Sequence, residues 1–222
     1  MHTDGYKQAR RVLVVTAVEA EQAALQHGLG GDGRFTAVAV GAGAAMAAAG
    51  TMQALQEDRY DLVVSAGIGG GFVGRAAVGS LVVANAIVVA DLGAQTAEGG
   101  FVAIDELGFG TGRFAVDEAA ARQLHAALIA RGLEAVLGPV LTVSTATGTA
   151  ATAAELCARV PGAAAEGMEG GGVAAAAVRR GLPVLELRAI SNAVGPRDRA
   201  AWRIGEALAA LEAAGPVLLE VL

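Results

Sequence analysis

Cysteine is nearly absent from this sequence, aromatic residues are few, and lysine and arginine never cluster beyond a short pair. Each shortage excludes something. With Cys157 alone, no internal disulfide can form, and a reducing compartment, the cytoplasm, is expected. Cys157 lies in "AAELCARV", a helical pattern in which plain core packing is expected of it rather than reactivity. Aromatics make up only 4% of the chain, so the core must be built from Ala, Val and Leu with backbones packed closely. A net charge of -6 with no basic patch argues against a nucleic-acid partner. Two uncharged stretches, Phe35 to Gln56 and Ala135 to Ala154, approach the roughly 20 residues that cross a bilayer. Glycines and Pro139 interrupt them, so strand, loop and helix is the expectation for each and a membrane partner is not. The opening "QARRVLVVTAVEAE" sets positive residues before an apolar run. That run is short, and Glu19 and Glu21 stand where a leader would be cleaved, so a first β-strand is expected instead.

What is present is a 222-residue chain, 54% hydrophobic and 17% charged, enough for one compact domain spanning 1–222. Short runs of Val, Leu and Ile alternate with Ala-rich helical segments. Strands are expected at Val12–Val15, Thr36–Val40, Asp61–Ser65, Ser80–Val89, Val136–Ser144 and Val184–Ser191. Helices are expected at Ala20–Gly28, Ala44–Gln56, Asp117–Arg131, Thr149–Arg159, Val173–Arg180 and Arg199–Ala213. Strands that are apolar throughout, rather than alternating, belong in a sheet covered on both faces. The expected fold is therefore α/β, a three-layer α/β/α sandwich with a central mixed, mostly parallel twisted sheet. Ligands in such sheets bind beyond the carboxyl ends of the strands.

Those ends carry the polar residues and the glycine clusters. "VGAGAAMAAAG" lacks the third glycine of a dinucleotide fingerprint, since Met46 stands there, and close helix–strand packing explains it better. "SAGIGGGF" places four glycines among residues 67–71 after a strand, where they would let the backbone approach a ligand and take positive φ. Glu19 and Glu21 open the first helix, either as ordinary N-terminal acids or as a general base for water. "EGMEGGG" brings Glu166 and Glu169 together, either as exposed loop acids or as acceptors for a vicinal diol. "RAISNAVGPRD" ends a strand on a neutral amide, Asn192, where many enzymes place an acid.

In order along nearly the whole chain, "TAVEAE", "SAGIGGGF", "EGMEG" and "RAISN" resemble the purine nucleoside phosphorylase and nucleosidase family, most closely its nucleosidase branch. The resemblance implies a nucleoside phosphorylase-like fold and hydrolysis of an N-glycosidic bond. It implies a small-molecule nucleoside and water as partners, no metal, no organic cofactor and a homo-oligomer. By position, Glu21 would polarise the attacking water. Met168 would pack under the sugar, Glu169 would hold the ribose hydroxyls, and Ile68, Gly69 and Gly70 would line the sugar and water site. Asn192 falls where adenine-specific nucleosidases carry an acid. An amide cannot surrender a proton, but it can donate hydrogen bonds to a departing purine whose charge is spread onto O6 and N7. A 6-oxopurine is the expected base, although an amide also pairs with adenine. Trp202 falls where the nucleosidases place an aromatic over the 5′ substituent, and Arg197 or Arg199 would bind a carboxylate there. The chain departs from the adenine-specific pattern at Gly167, where they have Glu, and in "TVSTATGT", which offers no aromatic to stack on the base. Base contacts are expected from the backbone of Thr145 to Gly148 or from Phe101 or Phe109. A phosphorylase and a binding module without turnover are the competing readings.

Overall fold

The computed structural model describes residues 10–222; residues 1–9 of the expected domain, including Gln8 and Ala9 of the opening stretch, lie outside the described residues. The strands are β1 (Val12–Thr16), β2 (Phe35–Ala39), β3 (Leu62–Gly71), β4 (Leu81–Val89), β5 (Gly93–Gln95), β6 (Phe101–Ala103), β7 (Arg113–Ala115), β8 (Ala135–Thr142), β9 (Ala165–Gly167) and β10 (Val184–Ala193). The helices are α1 (Glu19–Gly28), α2 (Ala44–Glu57), α3 (Ile104–Leu107), α4 (Glu118–Ala130), α5 (Ala150–Arg159), α6 (Gly170–Arg179) and α7 (Ile204–Val221). Every strand and helix expected from the sequence has its counterpart. The hairpin β5–β6, α3, β7 and β9 go beyond the expected elements, because segments of three or four residues leave no periodic signal.

Three layers form as expected. On one face Leu25 of α1, Leu124 and Leu128 of α4 and Leu211 and Leu218 of α7 pack on Val12, Val14, Leu62, Val64 and Leu187 of the sheet. On the other face Ala47 and Leu55 of α2 and Val173 and Ala177 of α6 pack on Leu13, Val15, Val63 and Ile190. Successive residues of β1 and β3 thus feed opposite cores, which is why these strands are apolar but for Thr16 and Ser65.

The sheet also curls on itself. β3 pairs in parallel with β1 along Leu62–Ser65 and with β10 along nearly its whole length, then meets β9 antiparallel at Gly70 and Gly71. β10 pairs antiparallel with β4, β4 pairs in parallel with β8, and β8 with β9, so five strands close a ring. β1 and β2 extend from it as a parallel wing.

The glycines of "SAGIGGGF" work differently from the expectation. They are strand, not loop, and none of them has positive φ. What they supply is proximity. A Cβ on Gly69 would stand 2.6 Å from the carbonyl oxygen of Glu166, and one on Gly71 2.4 Å from that of Ala76. Only glycine lets β3 change neighbours this tightly.

Two helices depart from their expected bounds. α6 begins at Gly170 although three consecutive glycines disfavour a helix. A Cβ on Gly172 would lie 2.0 Å from the carbonyl of Ala44 in α2, so tertiary packing sets the start. α7 begins five residues later than expected, after a 3-10 turn at Arg199–Ala201, and continues through Pro216 to Val221. Pro216 has no N–H for the carbonyl of Glu212. That carbonyl faces Gly28 of α1, where a Cβ would come within 2.1 Å of it. Cys157 is exposed rather than packed in the core. Leu156 and Val160 form the buried side of this segment, and Cys157 lies one helical step away from it.

Candidate active site

One cavity of about 200 Å³ opens at the carboxyl ends of β1, β3 and β10, and the ends of β8 and β9 reach it from across the ring. Among its lining residues are Glu21, Ile68, Gly69, Gly70, Met168, Glu169, Asn192, Arg197 and Trp202, the site residues expected from the sequence. Thr147 and Glu166 line it as well. It runs from the buried carboxylates of Glu21 and Glu169 to the exposed Arg197.

Glu21 is the third residue of α1, and its side chain turns back over the helix start. Oε2 accepts from the backbone N–H groups of Ala17 at 2.9 Å and Val18 at 3.2 Å. Oε1 accepts from the N–H of Ile68 at 2.9 Å. Three main-chain donors from two parts of the fold leave this carboxylate one orientation, toward the cavity. Glu19 is exposed and does not line it.

Glu169 caps α6. Its Oε1 accepts from the N–H of Gly43 at 3.2 Å, and its Oε2 meets Arg188 Nη1 at 3.1 Å. "VGAGAAMAAAG" therefore serves this carboxylate as well as packing, since Gly43 has φ 92° at the turn into α2 and Gly50 sits against Val40. Glu166 and Glu169 are both buried, not exposed loop acids.

Behind them lies a cluster to which the sequence motifs assign no role. Arg188 is 1% exposed; its Nε donates to Glu186 Oε1 at 2.8 Å and its Nη2 to Ser65 Oγ at 3.0 Å. Burial opposes the charge of Arg188, but Glu186, Glu169 and Glu21 together hold its pKa above the ordinary value. Burial pushes the Glu186 carboxyl up to about 7 against the pull of Arg188, and its Oε2 has no hydrogen-bond partner. A signal is legible in "VLELRAIS": opposite charges two residues apart in an apolar strand share a face and must pair. Arg188 also accounts for Gly167. A Cβ there would lie 3.1 Å from the guanidinium carbon, so Arg188 crowds any side chain at this position.

Asn192 is half-buried within β10, beside a bulge at Ser191. Its Oδ1 lies 2.8 Å from Ser191 Oγ, and its Nδ2 donates to the carbonyl of Ala193 at 3.0 Å. One amide N–H remains for a ligand. The guanidinium carbons of Arg197 and Arg199 stand 5.5 and 6.0 Å from the Trp202 ring centre, but only Arg197 lines the cavity. Asp198 caps the 3-10 turn that leads to Trp202, accepting from Ala200 N. Of the expected base contacts, Ala146 and Thr147 are at the cavity, whereas Phe101 and Phe109 are not. Phe101 lies under Arg159, 4.1 Å from its guanidinium carbon, and Phe109 is 82% exposed.

The chain is 52% identical to the futalosine hydrolase of Streptomyces coelicolor, over 95% of its own length and 96% of the relative's. It is 46% identical to the futalosine hydrolase of Acidothermus cellulolyticus, over 90% and 86% respectively. Its fold superposes on the native structure of futalosine hydrolase of Helicobacter pylori with a TM-score of 0.84, covering 96% and 98% of the two chains at 15% identity. The model of the Phosphorylase superfamily matches residues 8–222, and the chain belongs to that family.

Proposed function

We propose that this protein is a nucleosidase that hydrolyses the N-glycosidic bond of futalosine, releasing hypoxanthine and dehypoxanthine futalosine for menaquinone biosynthesis. The carrying observation is that one cavity holds two fixed carboxylates, Glu21 and Glu169, together with an amide, Asn192. The relatives at 52% and 46% identity, both futalosine hydrolases, support the same reading.

Each residue has a role set by its charge. The bond from C1′ to N9 breaks, leaving positive charge on the sugar and negative charge on the purine. Glu21, oriented by its three N–H donors, accepts the proton of the attacking water. Glu169 accepts hydrogen bonds from the ribose hydroxyls, with Arg188 fixing its second oxygen, and Met168 packs under the sugar. Asn192 donates to the departing 6-oxopurine, whose charge is already delocalised. Trp202 covers the 5′ substituent, and Arg197 pairs with its carboxylate. The reaction consumes one water and needs neither metal nor organic cofactor. The whole chain, 1–222, acts as one domain in the cytoplasm, as a homo-oligomer.

Chromatography of the products tests this reading. Futalosine should yield hypoxanthine and a free sugar at a rate independent of phosphate; a sugar 1-phosphate would make the protein a phosphorylase. Arg197→Ala should raise the KM for futalosine about tenfold, the loss of one charge-assisted pair, and leave inosine cleavage unchanged. Equal loss on both substrates would remove Arg197 from the 5′ site.

A further inference from the structure

Glu186 is a fully buried acid that the reaction described above does not use. It lies on the face of β10 that carries Val184 and Ile190, in the core under α6. Its carboxyl group presses on the start of that helix, where a Cβ on Gly170 would collide with both oxygens. Stability alone does not account for an acid here. A buried ion pair is commonly matched or bettered by apolar residues of similar volume. Glu186 and Arg188 therefore supply something that packing does not.

What they supply is direction. Arg188 runs along a channel of glycines: it stands opposite Gly67 in the register of β3 and β10, with Gly69 and Gly167 beside it. No side chain from these positions holds it, so its hydrogen bonds set the plane of the guanidinium. Nε donates to Glu186 Oε1 at 2.8 Å and Nη2 to Ser65 Oγ at 3.0 Å. Nη1 is left facing the site, 3.1 Å from Glu169 Oε2. Nη1 and Glu21 Oε1 each stand 2.8 Å from the place of a Cβ on Gly67. One nitrogen thus faces both working carboxylates across a space that a side chain would fill.

We propose that Glu186 is a positioning residue for hydrolysis: by holding Nε of Arg188 it keeps Nη1 on Glu169 and beside Glu21. This rests on the cavity being a nucleosidase site. Glu186 touches neither sugar nor water and acts only through Arg188. The carboxylate that takes the water's proton and the one that holds the ribose are thereby kept in one arrangement about C1′. One acceptor oxygen is enough for this task, and Glu186 Oε2 indeed has no partner. The negative charge is dispensable. The charged groups that face Glu186 are Arg188 on its own strand, which favours the carboxylate, and Glu169 at the head of α6, which opposes it. Burial outweighs both and keeps the acid protonated up to about 7, with its carbonyl oxygen still able to accept from Nε.

The test compares two conservative variants of the full chain on futalosine and inosine, below about pH 7, where the parent's own carboxyl is protonated. Glu186→Gln keeps the acceptor oxygen in place without the acid. Glu186→Asp keeps the acid but withdraws the oxygen by one methylene. Glu186→Asp should lower kcat about 10- to 100-fold, the cost of displaced catalytic groups, with KM changed far less, while Glu186→Gln stays within about twofold of the parent. Free hypoxanthine should bind all three alike. In NMR spectra of the arginine Nε–H groups, the Arg188 signal, identified by its absence from Arg188→Lys, should persist in Glu186→Gln and be lost by exchange in Glu186→Asp. The opposite order of activities, equal loss in both variants, or full activity in both overturns the inference. If Glu186→Asp melts well below the parent, Ser65→Ala frees the other side of the guanidinium and should lower kcat in the same way; unchanged kcat there is equally contrary. A parent that cleaves neither nucleoside refutes the nucleosidase reading, whereas the Nε–H signal still reports whether Glu186 aims Arg188.

Discussion

At the scale of single residues, the chemistry is set by how each buried charge is satisfied. Glu21 depends on main-chain donors from the start of α1 and from β3, so replacing its charge changes reactivity more than architecture. Glu21→Gln should lower the hydrolysis rate by roughly 10²- to 10⁴-fold, the usual worth of a general base, while hypoxanthine still binds. Loss of base binding in parallel would show that Glu21 holds the site together instead of acting on water. Glu186 leads to a pH prediction. The folded protein keeps its carboxyl protonated up to about 7, whereas an unperturbed Glu releases its proton near 4.5. The folded state thus binds more protons across that window, and this group's contribution to stability is present below 4.5 and lost as pH rises through about 7. Glu186→Gln stays neutral throughout. Its melting temperature relative to the parent should climb with pH across the window; a constant difference would mean that Glu186 is ionised in the fold.

At the scale of elements, small residues determine where helices and strands meet. Gly172 of α6 lies against the Ala44 carbonyl, and a methyl group there has no room. Gly172→Ala should destabilise by about 1–3 kcal/mol, typical of an overpacked contact, and lower the melting temperature by several degrees. Gly205, in the first turn of α7, has nothing within 4 Å of its would-be Cβ. Gly205→Ala should be neutral or stabilising by about 0.5–1 kcal/mol, and a drop matching that of Gly172→Ala would contradict the packing argument. These elements also show what a sequence discloses. Asp117 is legible as the cap of α4, and it accepts from Ala120 N there. The start of α6 is not, because the contact that makes three glycines helical comes from α2, over a hundred residues earlier in the chain. The glycines of β3 signal that something approaches closely, but not that the visitor is another strand. Pro216 reads locally as a helix stop, and only the space left by Gly28 reveals that the helix continues. Within the site, the residues legible in the sequence are those lying in recognisable strings. The pairing of Arg188 with Glu186 is legible in its own strand, but its contacts with Glu169 and Ser65, and that of Thr147 with Glu166, join distant segments that no local string discloses.

At the scale of the whole molecule, closure of five strands into a ring makes the site. It brings β9 beside β3, and so sets Glu166 and Asn192 on either side of Gly70 with Glu21 and Glu169 on the same cavity. Among the described residues, no helix is long and apolar enough to cross a membrane. The central claim is that this assembly of two carboxylates and an amide hydrolyses a 6-oxopurine nucleoside. The most direct test presents futalosine, inosine and methylthioadenosine side by side to the purified protein and resolves the released bases by chromatography. The account predicts rapid release of hypoxanthine from futalosine and little adenine from methylthioadenosine. Ready release of adenine with the hypoxanthine nucleosides left intact would contradict it.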